Sequence, residues 1–293
     1  MKPPPFAYHR PADVDTAAQM LVGLGDGAKV LAGGQSLVPL MNFRLAAPEH
    51  LVDVNHLGLD DVSMDDGEMV VGATVRQARL LSDPDIGAVH PLVADAAGWI
   101  AHAVIRNRGT VVGSLAHGDP AAELPAVLAV LGGSVDAVAW RDGRLATRRV
   151  PAAELFLGPL DTSLAVDELA VTARFPVLPA RTGWAVEELA RRHGDYALAG
   201  VILTVTVDGS GAPVGGRAAF LSCAPTPAVL DLTPALGDGA GPEAVYDLVA
   251  AALDPTDDIH ATAAYRRHLA ATLAGRGVAL AAVRARESAE VPA

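Results

Sequence analysis

The sequence contains a single cysteine, Cys223, among 293 residues. One thiol excludes an intramolecular disulfide, and it cannot hold an iron–sulfur cluster, which takes about four cysteine ligands. Aromatic residues make up only 4% of the chain although hydrophobic residues make up 51%. The cores are therefore expected to be aliphatic and rich in alanine. The 21 prolines and the 19% of charged residues are typical of a folded protein with many loops.

Basic charge and long apolar runs are also scarce. The formal net charge of −12 disfavours binding to nucleic acid, whose phosphates need a basic face. It is compatible with an anionic cofactor, because N–H groups at the start of a helix can hold a phosphate locally. No apolar run approaches the roughly 18 residues of a membrane helix, and the first residues do not form a signal peptide. We therefore expect a soluble cytoplasmic protein with no membrane span and no nucleic-acid partner.

Hydrophobic periodicity and turn residues predict an α+β fold in three successive parts. We expect two α/β subdomains, residues 1–57 and 58–178, and a C-terminal domain, residues 179–293, with an antiparallel sheet and a helical bundle. Asp142 and Gly143 predict a tight hairpin. The predicted helices are 15–24, 37–45, 74–81, 91–101 and most of 242–285, the last with interruptions at Pro255 and Gly275. The predicted strands are 29–32, 51–54, 68–73, 135–140, 145–150, 199–207 and 217–222.

The first glycine-rich segment, residues 33–36, lies between a predicted strand and a predicted helix. Glycines let the backbone approach a ligand closely, and N–H groups at the start of a helix attract anions. Two interpretations stay open from this segment alone: a phosphate-binding loop, and a structural turn capped by Ser36. A Rossmann dinucleotide site, which Asp53 would complete, is disfavoured because the G-x-G-x-x-G pattern lacks its third glycine.

The second segment, residues 105–120, contains glycines, hydroxyl residues and an Asp-Pro pair, but little helical or strand periodicity. This composition predicts a long ordered loop, and such loops often carry function. Glu123 follows the segment, and its carboxylate can accept hydrogen bonds from hydroxyl groups or from a ring N–H. Arg106 and Arg108 fit a surface or ion-pairing role better than a role in ligand binding.

Two other chemistries find no support in the sequence. His117 and Asp119 have no partner at the spacing of metal ligands. The G-x-S-x-G motif of the α/β-hydrolases is absent as well. We therefore expect neither a metal site nor a hydrolase triad.

A family resemblance rests on three segments that occur in order along the chain. They are residues 32–37 (Ala-Gly-Gly-Gln-Ser-Leu), residues 106–110 with 116–125, and residues 191–197 (Arg-Arg-His-Gly-Asp-Tyr-Ala). Together they resemble the FAD-binding medium subunit of molybdenum hydroxylases. The pattern is most similar to the flavoprotein subunit of aerobic carbon monoxide dehydrogenase, and the flavin domain of xanthine dehydrogenase is a more distant relative. Residues 264–269 are similar to the C-terminal domain of that family, so the resemblance spans essentially the whole chain.

The resemblance implies that FAD is the cofactor and that the first two subdomains form an FAD-binding unit of the PCMH type. It implies that residues 32–37 wrap the FAD diphosphate, that residues 110–114 contact it from the other side, and that Glu123 holds the polar chain. Residues 169–170 and 192–196 are expected to approach the isoalloxazine ring. The implied cofactor-binding residues are Ala32, Gly33, Gly34, Gln35, Ser36, Leu37, Ile100, Thr110, Val112, Gly113, Ser114, Glu123, Leu169, Ala170, Arg192, Asp195 and Tyr196.

Val112 departs from the family pattern, which has two adjacent glycines at this place. A β-branched residue is costly where the backbone needs a positive φ or lies close to a phosphate. Two interpretations follow: an ordinary extended backbone at Val112, or a reduced affinity for FAD.

The implied function is electron transfer within a larger redox enzyme, with no catalytic general base in this chain. Because one cysteine cannot bind iron–sulfur clusters, the resemblance implies two partners: a small subunit with two [2Fe-2S] clusters and a large molybdopterin subunit. They would assemble as a dimer of heterotrimers. FAD would accept electrons from the clusters and reduce an external acceptor.

Two alternatives remain from the sequence. One is a non-redox binding or assembly module that has lost FAD, for which Val112 is the only hint. The other is a self-contained FAD oxidoreductase. The substrate of the assembled enzyme is not encoded in this chain, because the substrate would react at molybdenum in another subunit.

Overall fold

The computed structural model describes residues 2–237 and 241–290, and it begins with a small parallel sheet. Strand β3 lies in the middle and pairs with β1 and β2. The carboxylate of Asp13 caps the first helix by accepting a hydrogen bond of 2.7 Å from the N–H of Thr16. The elements are β1 (Ala7–His9), α1 (Val14–Leu24), β2 (Ala28–Leu31), α2 (Leu37–Asn42) and β3 (His50–Asp53). The predicted βαβ unit is thus confirmed, with the glycines between β2 and α2.

An antiparallel sheet of five strands, in the order β4-β5-β10-β6-β7, forms the middle of the chain. Asp142 and Gly143 make the predicted hairpin turn, both with positive φ. The strands are β4 (Val62–Asp65), β5 (Glu68–Gly72), β6 (Ser134–Arg141), β7 (Arg144–Pro151) and β10 (Leu169–Pro176); β8 (Phe156–Gly158) and β9 (Asp161–Thr162) form a small separate pair. The helices are α3 (Gln77–Ser82), α4 (Pro84–Val89), α5 (Pro91–Trp99), α6 (Ala103–Arg106), α7 (Val111–His117), α8 (Glu123–Leu131) and α9 (Ala152–Leu155).

The last part is a four-stranded antiparallel sheet between two layers of helix. One sheet face, with Val186 and Ile202, joins the hydrophobic core of the middle unit, whereas alternate residues such as Val201 and Leu203 pack in the core that includes the C-terminal helix. The elements are β11 (Thr182–Leu189), β12 (Ala199–Val207), β13 (Pro213–Leu221), β14 (Ala228–Asp231), α10 (Pro242–Ala252) and α11 (Ala263–Glu290). Both cores are aliphatic and alanine-rich, as the composition predicts.

Two predictions about local structure are wrong. Residues 105–120 are not a long irregular loop, because Val111–His117 is helix α7. The side chain of Thr110 caps this helix, and Val111, Val112 and Leu115 bury one face of it; seven residues are too few for clear periodicity. Gly275 does not interrupt the C-terminal helix. It lies inside α11, where a Cβ atom would come within 3.2 Å of the carbonyl oxygen of Pro242, so the glycine allows α10 to pack closely.

Other boundaries shift by a few residues. Helix α3 begins at Gln77 rather than at residue 74, and α2 ends at Asn42 rather than at residue 45, where Arg44 takes a positive φ of 60°. Residues 238–240, just before α10, lie outside the described residues. In the part of the chain that the structure describes, no helix has the length and apolar character that crossing a membrane requires.

Helix α11 lies against β11 at Gly183, and this contact generates a prediction about stability. A Cβ atom at Gly183 would come within 2.5 Å of the backbone nitrogen of Ala285 and closer still to the carbonyl oxygen of Ala281. We expect Gly183→Ala to destabilise the fold by about 1–3 kcal/mol, the usual cost of overpacking. Thermal unfolding followed by circular dichroism measures the loss. Gly23→Ala is the matched control: it lies in α1 with open space around its Cβ position, so we expect it to stabilise the helix by up to about 1 kcal/mol. A Gly183→Ala protein as stable as the wild type would contradict the close approach of α11.

Candidate functional site

The two glycine-rich segments lie in direct contact. A Cβ atom on Gly33 would lie 2.7 Å from the Cα of Gly109 and 3.0 Å from the nitrogen of Thr110, and it would be closer still to the carbonyl oxygen of Arg108. Gly34 has a positive φ of 70°, which favours glycine. Both glycines are therefore required by backbone geometry: Gly34 for the turn after β2, and Gly33 for the approach of the second segment.

A chain of hydrogen bonds holds this contact in place. Arg76 donates from one guanidinium nitrogen to the carbonyl oxygen of Arg108, at 2.6 Å, and from the other to Asn55 Oδ1, at 2.6 Å. Asn55 Nδ2 in turn donates to the carbonyl oxygen of Ala32, at 2.9 Å, and to Asp53 Oδ1, at 2.6 Å. The first segment, the end of β3 and the second segment are thus linked through two side chains that the sequence did not single out.

Arg76 also places positive charge beside the two segments. Its hydrogen-bond acceptors are uncharged, and within the described residues it forms no ion pair. Two effects lower the pKa of Arg76 from its usual value: the larger is partial burial, and the second is the positive charge of the neighbouring Arg108. Both effects disfavour the guanidinium charge, the carboxylate of Asp53 opposes them to a smaller extent, and a further anion nearby would also oppose them.

The start of α7 completes the contact. Thr110 Oγ1 accepts a hydrogen bond of 3.1 Å from the N–H of Gly113, and a Cβ atom on Gly113 would lie 4.0 Å from the Cβ of Ala32. Val112 is buried in the first turn of the helix and is not among the residues with positive φ. The valine at this family-glycine position therefore carries no backbone cost, although the backbone is helical rather than extended.

Several backbone N–H groups at this contact have no acceptor among the described residues. They belong to residues 33–37, to Thr110 and to Val112. Helices α2 and α7 have only six and seven residues, so individual N–H groups rather than a long helix dipole would attract a ligand. Such a set of donors, with no side-chain carboxylate bonded to it, fits a phosphate or diphosphate group.

An apolar slot opens next to these donors. It is a cavity of about 80 Å³ that is lined by Val30, Ala32, Val54, Val112, Gly113, Leu164, Leu169 and Ala170, among others. Five of these are predicted site residues, so the structure brings Leu169 and Ala170 together with both glycine segments. The walls are aliphatic apart from Glu168, and aliphatic walls suit the faces of a planar aromatic ring. A larger cavity of about 420 Å³ lies beside Asn55 and Arg76, and none of the predicted site residues lines it.

A group of acidic side chains lies beyond the C-terminal end of α7. Burial raises the pKa of Glu123 to about 7, with a further rise from the charge of Asp119; a backbone N–H hydrogen bond and, to a smaller extent, Arg106 lower it. Burial, and to a smaller extent the negative charge of Glu123, raises the pKa of Glu188 to about 8. Glu188 Oε2 is buried without a hydrogen-bond partner among the described residues. This pair therefore carries protons near neutral pH and leaves an acceptor for hydroxyl or N–H groups of a ligand.

The connection between β11 and β12, residues 190–198, lies next to this acidic group; we call it the Tyr196 loop. Its residue Gly194, with a φ of 85°, lies directly on the ring of His102. Tyr196 is 68% exposed, while its hydroxyl lies near Asp119; partial burial and then that carboxylate raise the pKa of the tyrosine. Arg192 and Asp195 are exposed on the same loop.

Ile100 lies just before His102, where the chain turns. Arg106 donates to the carbonyl oxygens of Ile100, at 2.6 Å, and of Ala101, at 3.0 Å, and thereby holds this turn. Of the predicted residues, Ile100, Glu123, Arg192, Asp195 and Tyr196 thus belong to one region. Leu169 and Ala170 line the apolar slot together with Ala32, Val112, Gly113 and Ala116.

Sequence patterns missed Asn55, Arg76 and Glu188. Asn55 follows a strand and Arg76 precedes a helix, but nothing in their spacing shows that they meet. Glu188 stands at an ordinary position of a strand, and its burial follows from α8 packing on the C-terminal sheet. The described residues contain no group of three or more His, Cys, Asp or Glu placed to hold a metal ion.

Comparison with protein families matches two regions of the chain. Residues 4–178 match the FAD binding domain in molybdopterin dehydrogenase, and residues 184–281 match the CO dehydrogenase flavoprotein C-terminal domain. The chain is 40% identical over 299 residues to 6-hydroxypseudooxynicotine dehydrogenase complex subunit alpha of Paenarthrobacter nicotinovorans, covering 99% of each protein. It is 38% identical over 285 residues to the carbon monoxide dehydrogenase medium chain of Hydrogenophaga pseudoflava, covering 95% of this chain and 97% of the relative.

Solved structures agree with these matches. The fold is similar to carbon monoxide dehydrogenase from Hydrogenophaga pseudoflava that lacks the Mo-pyranopterin moiety, with a TM-score of 0.89, 37% identity and coverage of 97% of this chain and 99% of that one. It is equally similar to quinoline 2-oxidoreductase from Pseudomonas putida 86, with a TM-score of 0.89, 32% identity and the same coverage. The chain therefore belongs to the family of FAD-binding medium subunits of molybdenum hydroxylases, and FAD is its cofactor.

Proposed function

We propose that the contact between the two glycine segments holds the FAD diphosphate. The observation that carries this proposal is the set of unpartnered N–H groups of residues 33–37, Thr110 and Val112 around the Gly33 contact. Arg76 adds a positive charge at a short distance from the same backbone, and the nearby Asp53 offsets it only in part. Together they let a chain with a net charge of −12 bind an anionic cofactor.

The remaining parts of FAD are assigned by chemistry. The apolar slot at Leu169 and Ala170 receives a planar ring of FAD. Glu123 accepts hydrogen bonds from hydroxyl groups of the polar chain, and the buried position of its carboxyl strengthens such bonds. Ile100 and the Tyr196 loop border the isoalloxazine ring. In this arrangement FAD follows the length of α7.

Bound FAD supplies the redox chemistry, and this chain binds it, orients it and excludes water from it. We propose that the electrons come from the [2Fe-2S] clusters of a small partner subunit and leave to an external acceptor. A large molybdopterin subunit would carry the substrate site, and the three subunits would form a dimer of heterotrimers. Related proteins are named as medium chains or subunits of dehydrogenases, which supports a multi-subunit enzyme. We also propose that the domain boundaries lie near residues 57 and 178.

Assembly tests the proposed partners. Co-expression with neighbouring genes for a cysteine-rich chain and a much larger chain should yield a complex that contains flavin, iron and molybdenum in fixed ratio. Metal and flavin analysis after co-purification measures it. A chain that binds FAD but captures neither partner would favour the stand-alone oxidoreductase, and a chain that assembles without flavin would favour the non-redox module.

Replacing Gly33 tests the diphosphate site. We expect Gly33→Ala to push the two segments apart and to weaken FAD binding by on the order of 100-fold, the equivalent of about 2.7 kcal/mol. Titration of the apo-chain with FAD measures the dissociation constant. Gly87→Ala is the control, because its Cβ position in α4 has open space around it. Full retention of FAD by the Gly33→Ala chain would show that the diphosphate lies elsewhere.

The Glu123–Glu188 pair makes the stability of the apo-chain depend on pH. The pKa values of about 7 and about 8 lie above the unfolded value of 4.5, so the folded state binds more protons between these limits. Stability from this pair is therefore greatest below the unfolded pKa and falls as pH rises towards 8. We expect Glu188→Gln to have nearly the melting temperature of the wild type at pH 5 and a higher one at pH 8. Glu287→Gln, an exposed change on α11, should show no such pH dependence, and a flat difference for Glu188→Gln would contradict the buried pair.

A further inference from the structure

The C-terminal helix reaches the Tyr196 loop through one buried side chain, Arg266. The loop is anchored directly after Tyr196: the carbonyl oxygen of Ala197 accepts a hydrogen bond of 2.7 Å from Ser222 Oγ, and that of Leu198 accepts one of 2.6 Å from the Arg266 guanidinium. Two consecutive carbonyl groups are thus held by side chains. Because these two peptide groups are fixed, the backbone next to Tyr196 is fixed as well, and this limits the directions in which the Tyr196 side chain can point.

Arg266 is placed for this task. It is only 6% exposed, and a buried guanidinium is tolerated only when its donors and its charge are satisfied. One nitrogen serves Leu198 and also the carbonyl oxygen of Ser222, at 3.2 Å. The other donates to Asp258, and this hydrogen bond, followed by those from backbone N–H groups, lowers the pKa of Asp258 well below its usual range. The Asp258 carboxylate holds the planar guanidinium group of Arg266 in one orientation. The guanidinium group in turn holds the carbonyl groups of Leu198 and Ser222.

Ser222 extends the link to the acidic group. Its backbone takes a positive φ of 57°, and its N–H donates to the carbonyl oxygen of Pro120, at 3.0 Å. Pro120 directly follows Asp119, the carboxylate near the Tyr196 hydroxyl. Arg266 therefore joins helix α11, the turn at Ser222, the Tyr196 loop and the turn before α8 in one network of hydrogen bonds.

We propose that Arg266 is a positioning residue for the flavin, because it holds Tyr196 in the orientation in which that side chain borders the isoalloxazine ring. Helix α11 of the C-terminal domain would then act on the FAD site through the Tyr196 loop, without contacting the cofactor itself. This inference rests on the proposed function, since it requires the Tyr196 loop to lie beside the flavin.

The matched pair of variants is Arg266→Met and Arg267→Met. Arg267 lies next to Arg266 on α11 and makes comparable hydrogen bonds, to the carbonyl oxygen of Leu253 at 2.8 Å and to Asp254 at 2.8 Å, but these lead away from the Tyr196 loop. Each full-length chain is titrated with FAD, and the fluorescence yield and visible circular dichroism of the bound flavin are recorded. Tyr196→Leu defines the signal of a flavin that has lost its aromatic neighbour.

We expect Arg266→Met to shift the flavin fluorescence and visible circular dichroism towards those of Tyr196→Leu, and to weaken FAD binding by about tenfold. Arg267→Met should keep the wild-type signals. Arg266→Lys keeps the charge but loses the fork, so it should fall between Arg266→Met and the wild type. Ser222→Ala removes only the bond to Ala197 and should shift the signals in the same direction, which keeps the test decisive if Arg266→Met does not fold.

Two results would overturn the inference. The first is that Arg266→Met folds and gives the flavin signals of the wild type. If Arg266→Met does not fold, the equivalent result is that Ser222→Ala and Arg266→Lys both fold and both give the wild-type signals. The other is an equal change in Arg267→Met, which would mean that any disturbance of α11 has the same effect. If the wild-type chain itself takes up no FAD, the proposed function fails instead, and that outcome is visible before any variant is made.

Discussion

The packing of Gly33 against the backbone of Arg108, Gly109 and Thr110 is the contact on which the rest of the site depends. It joins the parallel sheet of the first unit to the helical layer of the second at a distance that only glycine permits. Around this contact, the N–H groups of residues 33–37, Thr110 and Val112 have no acceptor among the described residues. The same contact that holds the two units together thus leaves donors for an anionic ligand, and the Asn55–Arg76 link keeps it closed.

Polarity changes along α7 in a way that suits FAD. Unpaired donors and the Arg76 charge lie at its N-terminal end, and protonated or partly protonated carboxyl groups lie beyond its C-terminal end. A diphosphate is attracted to the first end and would be repelled from the second, whereas hydroxyl groups find acceptors at the second. In the proposed arrangement, charge as well as shape would orient the cofactor, in a chain whose overall charge would repel any anion.

Sequence patterns predicted the fold class, both glycine segments and the hairpin at Asp142 and Gly143, because these features depend on residues close together in the chain. They failed at α7, where one Thr110 cap and a buried face of a few residues make a helix too short for its periodicity to be seen. They left open whether residues 33–36 form a phosphate-binding loop or a structural turn, and they did not show that Gly33 packs against the backbone of the second segment. Asn55, Arg76 and Glu188 were beyond reach, because their roles arise only when distant segments meet.

The C-terminal domain shows the same dependence on distant contacts. One face of its sheet is continuous with the core of the middle unit, so the strand that carries Glu188 and the loop that carries Tyr196 are fixed relative to α8. A sheet alone would leave the nine-residue connection after β11 free to move. Among the described residues, its only strand-like hydrogen bond is from the N–H of Leu198 to the carbonyl oxygen of Leu189. Side-chain bonds from Ser222 and Arg266 replace the missing strand partners. Burying a guanidinium is costly, and the cost is offset here because Asp258 and the carbonyl groups of Leu198 and Ser222 bind its donors. A purely structural loop could be held at a lower cost by apolar packing.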